Sequence, residues 1–462
     1  MTKNTDENVI EERIHTVEEL LNRNEDLKIK EFIEEMHPAD IAEVLFELND
    51  EDQVKFFSIL SWEQAGKVLE EVNSETFLEF LGILRREHKI LLLEQIAQDD
   101  MVDLIAELSE EKRKEIISLL NLEDAKSVRE LLVYDEDTAG GIMTKEFISV
   151  RKDITIYQAI EDLREMAKDA ETIYYVYVVD KNKRLVGVLS LRELIISRPN
   201  NIVEDIMHEN VISVNLKTDQ EDVARAVSKY DLLAIPVVDD NNRIMGIITV
   251  DDIIDVIEEE ATEDIYRFAG ASEVEDLEHY NISERIFASV KSRLPWLIIT
   301  VFGGLLSAQV IGGFQEVLNK NTVLALFMPL LAGMGGNVGT QSSTLTVRGI
   351  AMGDIQGKEV LRTLFQEVCI GFLVGLCCSI IVAIVSLFFI QGEIILSFVV
   401  GISMWANMIT AATIGTLVPI IFKKIGVDPA VASAPFITTT IDITGLSIYF
   451  TLTTILLSRL VY

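Results

Sequence analysis

Beyond Leu294 the chain holds five stretches long enough and apolar enough to cross a bilayer, and nothing else in the sequence constrains the fold as strongly. They run at about 294–315, 321–347, 368–392, 394–422 and 429–458. The first four contain no Asp, Glu, Lys or Arg, and the fifth contains one, Asp442. Residues 294–462 carry seven acids and seven bases. The formal charge of −35 therefore lies wholly in the first 293 residues, as 68 acids against 33 bases. An acidic half followed by an apolar half excludes an ordinary soluble protein. It also argues against nucleic acid as a partner, because phosphate is repelled by such a surface. Periodic Leu, Ile and Val in the acidic half argue against disorder.

Charge and cysteine placement predict the topology. Basic residues flanking one side of the spans are Lys291, Arg293, Arg348, Lys358, Arg362, Lys423 and Lys424, against Lys320 and Arg459 on the other. With an odd number of spans, this puts the N-terminus inside and the C-terminus outside a cytoplasmic membrane. Cys369, Cys377 and Cys378 all fall in one apolar stretch, so the acidic half has no disulfide framework. Its first residues, MTKNTDENVIEERIH, lack the apolar core of a signal peptide. The acidic half is expected in the cytosol.

Within that half, residues 1–135 read as short helices stacked as irregular repeats. Apolar positions recur at helical spacing after Asp40 and over Gln64–Val72, Asp100–Leu108 and Asp124–Leu132. His37-Pro38-Ala39-Asp40 reads as a helix start with Pro in the first turn. Residues 139–259 are duplicated, as copies at 139–200 and 203–259. Ile142-Met143 recurs as Ile206-Met207, and Ile148-Ser149-Val150 as Ile212-Ser213-Val214. Val178-Val179-Asp180 with Gly187 recurs as Val237-Val238-Asp239 with Gly246. Each copy reads strand, helix, strand, turn, strand, helix, with Asp180 and Asp239 opening the turns.

This pattern resembles a pair of CBS domains, a module that commonly binds adenine nucleotides. The family's Gly-x-x-Thr/Ser-x-x-Asp motif stands here as Gly187…Ser190…Glu193 and Gly246…Thr249…Asp252. A carboxylate at its end accepts hydrogen bonds from ribose hydroxyls. Glu193 departs from the usual Asp. A purely structural, dimerising tandem is the alternative.

Between Asp251 and Asp264 the chain carries eight acids and no base. On a helix, like charges four residues apart repel. One reading is a solvated acidic helix. The other is a face for a hard divalent cation, which would relieve the repulsion.

In the membrane half a lone carboxylate at bilayer depth costs about 3 kcal/mol by insertion scales, so Asp442 needs an aqueous path, a bound cation or a buried partner. Thr438, Thr439 and Gly445 are expected to share its helix face, and Pro435 to free a backbone carbonyl. In the second stretch, Gly333-Met-Gly-Gly-Asn-Val-Gly-Thr-Gln341 reads either as close packing through small residues or as a pore lining through Asn337 and Gln341.

The order of parts, with Gly335-Gly336-Asn337 and Asp428-Pro429…Pro435-Phe436…Asp442, resembles the MgtE family of magnesium channels over nearly the whole chain. The resemblance implies a multidomain fold: an all-α superhelical N-terminal domain, the α/β CBS pair, a long connecting (plug) helix over 260–290 and a five-helix α transmembrane domain over 291–462. It implies a homodimer in the lipid bilayer. Its pore is lined by the second and fifth spans, through Asn337, Gln341, Thr438 and Asp442, and the last is the selectivity site for Mg²⁺. It implies regulatory Mg²⁺ ligands at Asp219, Glu221, Asp231, Asp252, Asp255, Glu260, Glu263, Asp264 and Asp428, with Asp99 and Asp103 from the N-terminal domain. Some members bind ATP in the CBS cleft, where Tyr175 and Arg192 match. Alternatives are a CBS-regulated transporter of Mn²⁺ or Co²⁺ and a membrane-anchored nucleotide sensor without transport. An enzyme is not expected: no hydrolase His cluster, nucleophile motif or P-loop is visible.

Overall fold

A computed structural model of the chain describes residues 3–460 except 35, 107, 168–169, 272–281, 356 and 391–393. Two compact units divide it, residues 1–257 and 258–462.

The first unit opens with ten helices, from Lys3–Asn22 to Leu122–Leu131. They stay short because polar caps interrupt them. Asn49, Ser61, Asn73 and Asn121 each accept a backbone N–H of the following turn. His37 caps Pro38–Glu47 through Nδ1, with Pro38 in the first turn, where its missing N–H costs nothing. Each helix buries one apolar stripe, such as Ile41, Val44 and Leu45 or Val68 and Leu69, into a continuous core.

The duplicated segment folds as two matching three-stranded sheets: β1 (Ser149–Arg151), β2 (Tyr175–Val179) and β3 (Leu185–Ser190), then β4 (Val214–Asn215), β5 (Ala234–Val238) and β6 (Ile244–Thr249). In each, the first pair is parallel and the second antiparallel. The parallel pairs are joined through the helices Ile156–Met166 and Gln220–Tyr230. The β2–β3 and β5–β6 turns are built alike. Asp180 Oδ1 accepts from Asn182 and Arg184 N, and Asp239 Oδ1 from Asn241 and Arg243 N. Lys183 and Asn242 take positive φ at equivalent places.

The helix leaving β6 runs Val250–Ala269 and ends at Gly270, whose φ is +74. It starts ten residues before the expected connecting helix. Part of that connection, 272–281, lies outside the described residues.

In the second unit five helices have the length and composition to cross a membrane: Arg285–Gly313, Thr322–Ala351, Glu359–Phe389, Ile394–Lys424 and Ala434–Leu456, here called spans one to five. Spans two, four and five pack on one another, span three lies on span four, and span one lies on span five. The backbones approach through glycine. At Gly339 of span two and Gly415 of span four, a Cβ on Gly415 would overlap the Gly339 carbonyl. Span three starts earlier than its apolar stretch and carries Glu367 into the protein, where Ser342 Oγ of span two donates to it at 2.7 Å. Asn407 of span four is buried and donates through Nδ2 to the Leu331 carbonyl of span two at 2.8 Å.

Candidate functional site

Span five sets the position of Asp442. Its helix begins at Ala434, so Asp442 lies only two turns in, about 12 Å along the axis, rather than midway. Pro435 consequently sits in the first turn and frees no carbonyl within the span, contrary to the sequence expectation. The carboxylate is half-buried, and among the described residues no protein group bonds to it. The flanking small and hydroxylated residues do not form one open stripe. Thr438 lies over Gly336 of span two, Thr439 packs against Gly303 of span one, and Gly445 lies against the Asn407 carboxamide of span four. Successive residues turn by about 100°, which puts Asp442 between the Thr438 and Thr439 flanks.

Span two presents two faces. Gly335, Gly336, Gly339, Ser342, Ser343 and Thr346 are buried against neighbouring spans. Asn337, Gln341, Thr344 and Arg348 are exposed in the protomer and recur at the spacing of one helix face. Amide and hydroxyl groups at membrane depth face a water path or another protein surface, not hydrocarbon.

The cytosolic carboxylates fall into separate groups. Asp99 and Asp100 open the helix Gln98–Ala106. Burial, then the charges of Asp100, Asp252 and Glu171, push the Asp99 carboxyl well above its ordinary range. Its Oδ1 is buried without a hydrogen bond. Burial, then Glu70, Asp252, Asp103 and Glu171, push Asp100 up to about 8. Asp252 is raised by burial, against the hydrogen bonds its Oδ2 accepts from Thr249 N and Oγ1 at 3.1 and 2.6 Å. Asp99, Asp100, Asp103 and Asp252 thus contribute to one field of negative charge. Asp100, Glu70 and Glu171 were not singled out from the sequence. Only the adjacent pair Asp99-Asp100 hinted at it, since the other contributors are distant in the chain.

Asp219 and Glu221 start the helix Gln220–Tyr230 and Asp231 ends it, so the three do not meet. Asp219 accepts from Glu221 N at 3.0 Å, Glu221 pairs with Arg225 at 2.7 Å, and Asp231 takes φ +51 as the helix stop. Asp255, Glu260, Glu263 and Asp264 lie on the helix Val250–Ala269. Its single base in the last turn, Arg267, pairs with Glu263 and, at 2.6 Å, with Asp428 Oδ2, while Asp428 Oδ1 accepts from Ala430 N at 2.8 Å. Arg267 lies just past the acidic run, and the sequence reading did not single it out. Among the described residues no three His, Cys, Asp or Glu side chains converge on one point as metal ligands. Mg²⁺ that keeps several of its waters requires only one or two carboxylates, and the orphaned Oδ1 of Asp99 beside the neighbouring acids fits such an ion.

In the duplicated module both motif carboxylates bond back to the start of the helix that follows, and at Glu193 the bonding is reciprocal, Glu193 N donating to Ser190 Oγ. Glu193 Oε2 accepts from Ser190 N and Oγ at 2.8 and 2.9 Å, as Asp252 does from Thr249. Glu193 Oε1 is also bound, to His208 Nε2 at 2.6 Å. Tyr175 opens β2 half-buried, and Arg192 is exposed on the helix after β3.

Comparison with known proteins accords with this architecture. Family models match for the MgtE intracellular N domain at residues 36–137, for CBS domains at 139–199 and 203–259, and for the MgtE divalent cation transporter at 328–452. The magnesium transporter MgtE of Thermus thermophilus is 39% identical over 96% of this chain and 98% of its own. That of Bacillus subtilis is 41% identical over 73% of this chain and 74% of its own. A crystal structure of the cytosolic domain of the Mg²⁺ channel MgtE in complex with ATP has a TM-score of 0.51 and 37% identity. It covers 53% of this chain and 99% of its own. With the intracellular helical domain, the CBS pair and the membrane domain all matched, the chain belongs to the MgtE family, whose members are transporters and not enzymes.

Proposed function

We propose that the protein carries Mg²⁺ into the cell across the cytoplasmic membrane, as a homodimer whose pore is lined by spans two and five. The observation that carries this reading is Asp442: a half-buried carboxylate within an apolar span, with no protein group bonded to it among the described residues. The exposed amide stripe of Asn337 and Gln341 supports it. The relatives' activity as magnesium transporters names the ion. In a two-fold assembly two Asp442 carboxylates face one path and hold the hydrated ion through its waters. A membrane potential negative inside drives entry. Thr438, beside Gly336, continues the lining.

Regulation follows from the acidic cytosolic groups. Without a cation, Asp99, Asp100 and Asp252 lie in one another's negative field, and Asp103, Asp219, Glu221, Asp231, Asp255, Glu260, Glu263, Asp264 and Asp428 are the further positions proposed to hold Mg²⁺. Bound Mg²⁺ offsets that negative field in a closed state, so a rising cytosolic concentration shifts the population toward closure. Tyr175 and Arg192 are the residues proposed to contact ATP, consistent with the ATP-bound relative. The N-terminus is cytosolic and the C-terminus outside.

The test is Mg²⁺ uptake by the reconstituted protein and its Asp442→Ala variant. The variant is expected to assemble and to show no uptake. Normal uptake would remove the pore assignment.

A further inference from the structure

Asn407 is 1% exposed, in the interior of span four, where an amide needs a reason. Its Nδ2 donates to the Leu331 carbonyl of span two at 2.8 Å. One turn further along span two is Gly335, where a methyl group would lie 2.6 Å from the same nitrogen. Its Oδ1 is buried with no hydrogen-bond donor and lies against Gly445 of span five, where a methyl group would overlap it. Gly445 follows Asp442 by three residues, and Gly335 precedes Asn337 by two. One planar carboxamide therefore touches both proposed pore-lining helices, in each case within a turn of a polar residue assigned to the lining. A side chain serving only to fill space would need no polar atoms and would leave no orphaned oxygen.

We infer that Asn407 is a positioning residue for ion selection: it sets the separation of spans two and five and thereby the opening at Asp442. The inference rests on the reading of those two spans as the pore lining. It predicts that changes at Asn407 alter which hydrated ion passes, and not merely how much protein assembles. Selection by size around a water-clad ion depends on the spacing of the groups that face it.

Full-length protein in liposomes tests this by the ratio of Mg²⁺ to Ca²⁺ flux, with assembly followed by size-exclusion chromatography. Asn407→Ala is expected to assemble and to lower the ratio by about tenfold, and Gly445→Ala to do likewise, because its methyl group displaces the carboxamide. Removing the carboxamide also makes room for that methyl. The double variant should therefore fall short of the product of the single effects by about tenfold. An assembled Asn407→Ala protein with the native ratio would overturn the inference, as would strictly multiplicative single effects. If Asn407→Ala fails to assemble, Asn407→Ser in the same cycle with Gly445→Ala decides by the same coupling. Asp442→Asn serves as the control. Native flux in that variant refutes the pore reading itself, whereas its loss alongside native behaviour of the Asn407 and Gly445 variants refutes only the positioning role.

Discussion

Asp100 shows how a single side chain senses its surroundings. Its carboxyl is raised to about 8 in the folded protein, by burial first and by Glu70, Asp252, Asp103 and Glu171 next. In the unfolded chain it titrates near 4. Its contribution to stability is therefore complete below about pH 4 and is lost as the pH rises through about 8. Asp100→Asn removes the ionisation, and in metal-free buffer at pH 8 it should stabilise the protein by about 1–3 kcal/mol relative to wild type. The gain should shrink toward pH 4. Thermal unfolding across that range checks the sign, and Mg²⁺ should stabilise wild type more than the variant. Asp442 was legible in the sequence because a charge in an apolar run has few explanations. Asp100 was not, because its burial, and after it the charges of residues as distant in sequence as Asp252, come from tertiary packing.

At the scale of elements, helix packing through glycine decides the membrane unit. The Gly339 and Gly415 backbones meet with no room for a side chain on Gly415. Gly415→Leu should separate spans two and four and cost about 1–3 kcal/mol or more, read as loss of monodisperse protein and a lower melting temperature in detergent. The Arg267–Asp428 pair is a weaker contact. The side chains are 41% and 32% exposed, so solvent limits its worth to about 1 kcal/mol or less. If it favours the closed state without metal, Arg267→Ala should raise the metal-free open fraction by no more than about fivefold, measured as flux at zero cytosolic Mg²⁺. Element existence was readable from apolar periodicity and caps, and the duplicated strand–helix order emerged as written. Element ends were less so. Span five begins at Ala434, after the short 3₁₀ turn Pro429–Val431, so Pro435 starts a helix instead of bending one. Span three extends back through Glu367, because a hydroxyl on another helix accommodates that carboxylate.

For the molecule as a whole, the proposed feedback makes conduction and sensing separable. Neutralising Asp255, Glu260 and Asp264 together should leave Mg²⁺ flux intact while cytosolic Mg²⁺ no longer suppresses it, and normal closure in such a protein would exclude these groups as the sensor. The proposed topology puts the C-terminus outside, so a cysteine added after Tyr462 in a variant lacking Cys369, Cys377 and Cys378 should react with an impermeant thiol reagent on intact cells. The sequence by itself determined the division into an acidic and an apolar half, the repeat, the number of spans and the one charge among the five apolar stretches, because these follow from composition and period along the chain. Only the tertiary structure decided which carboxylates share a field, that Thr438 and Thr439 part to different neighbours, and that Asn407 touches both candidate lining helices. Those relations join residues far apart in sequence, and packing in three dimensions, not local periodicity, brings them within reach.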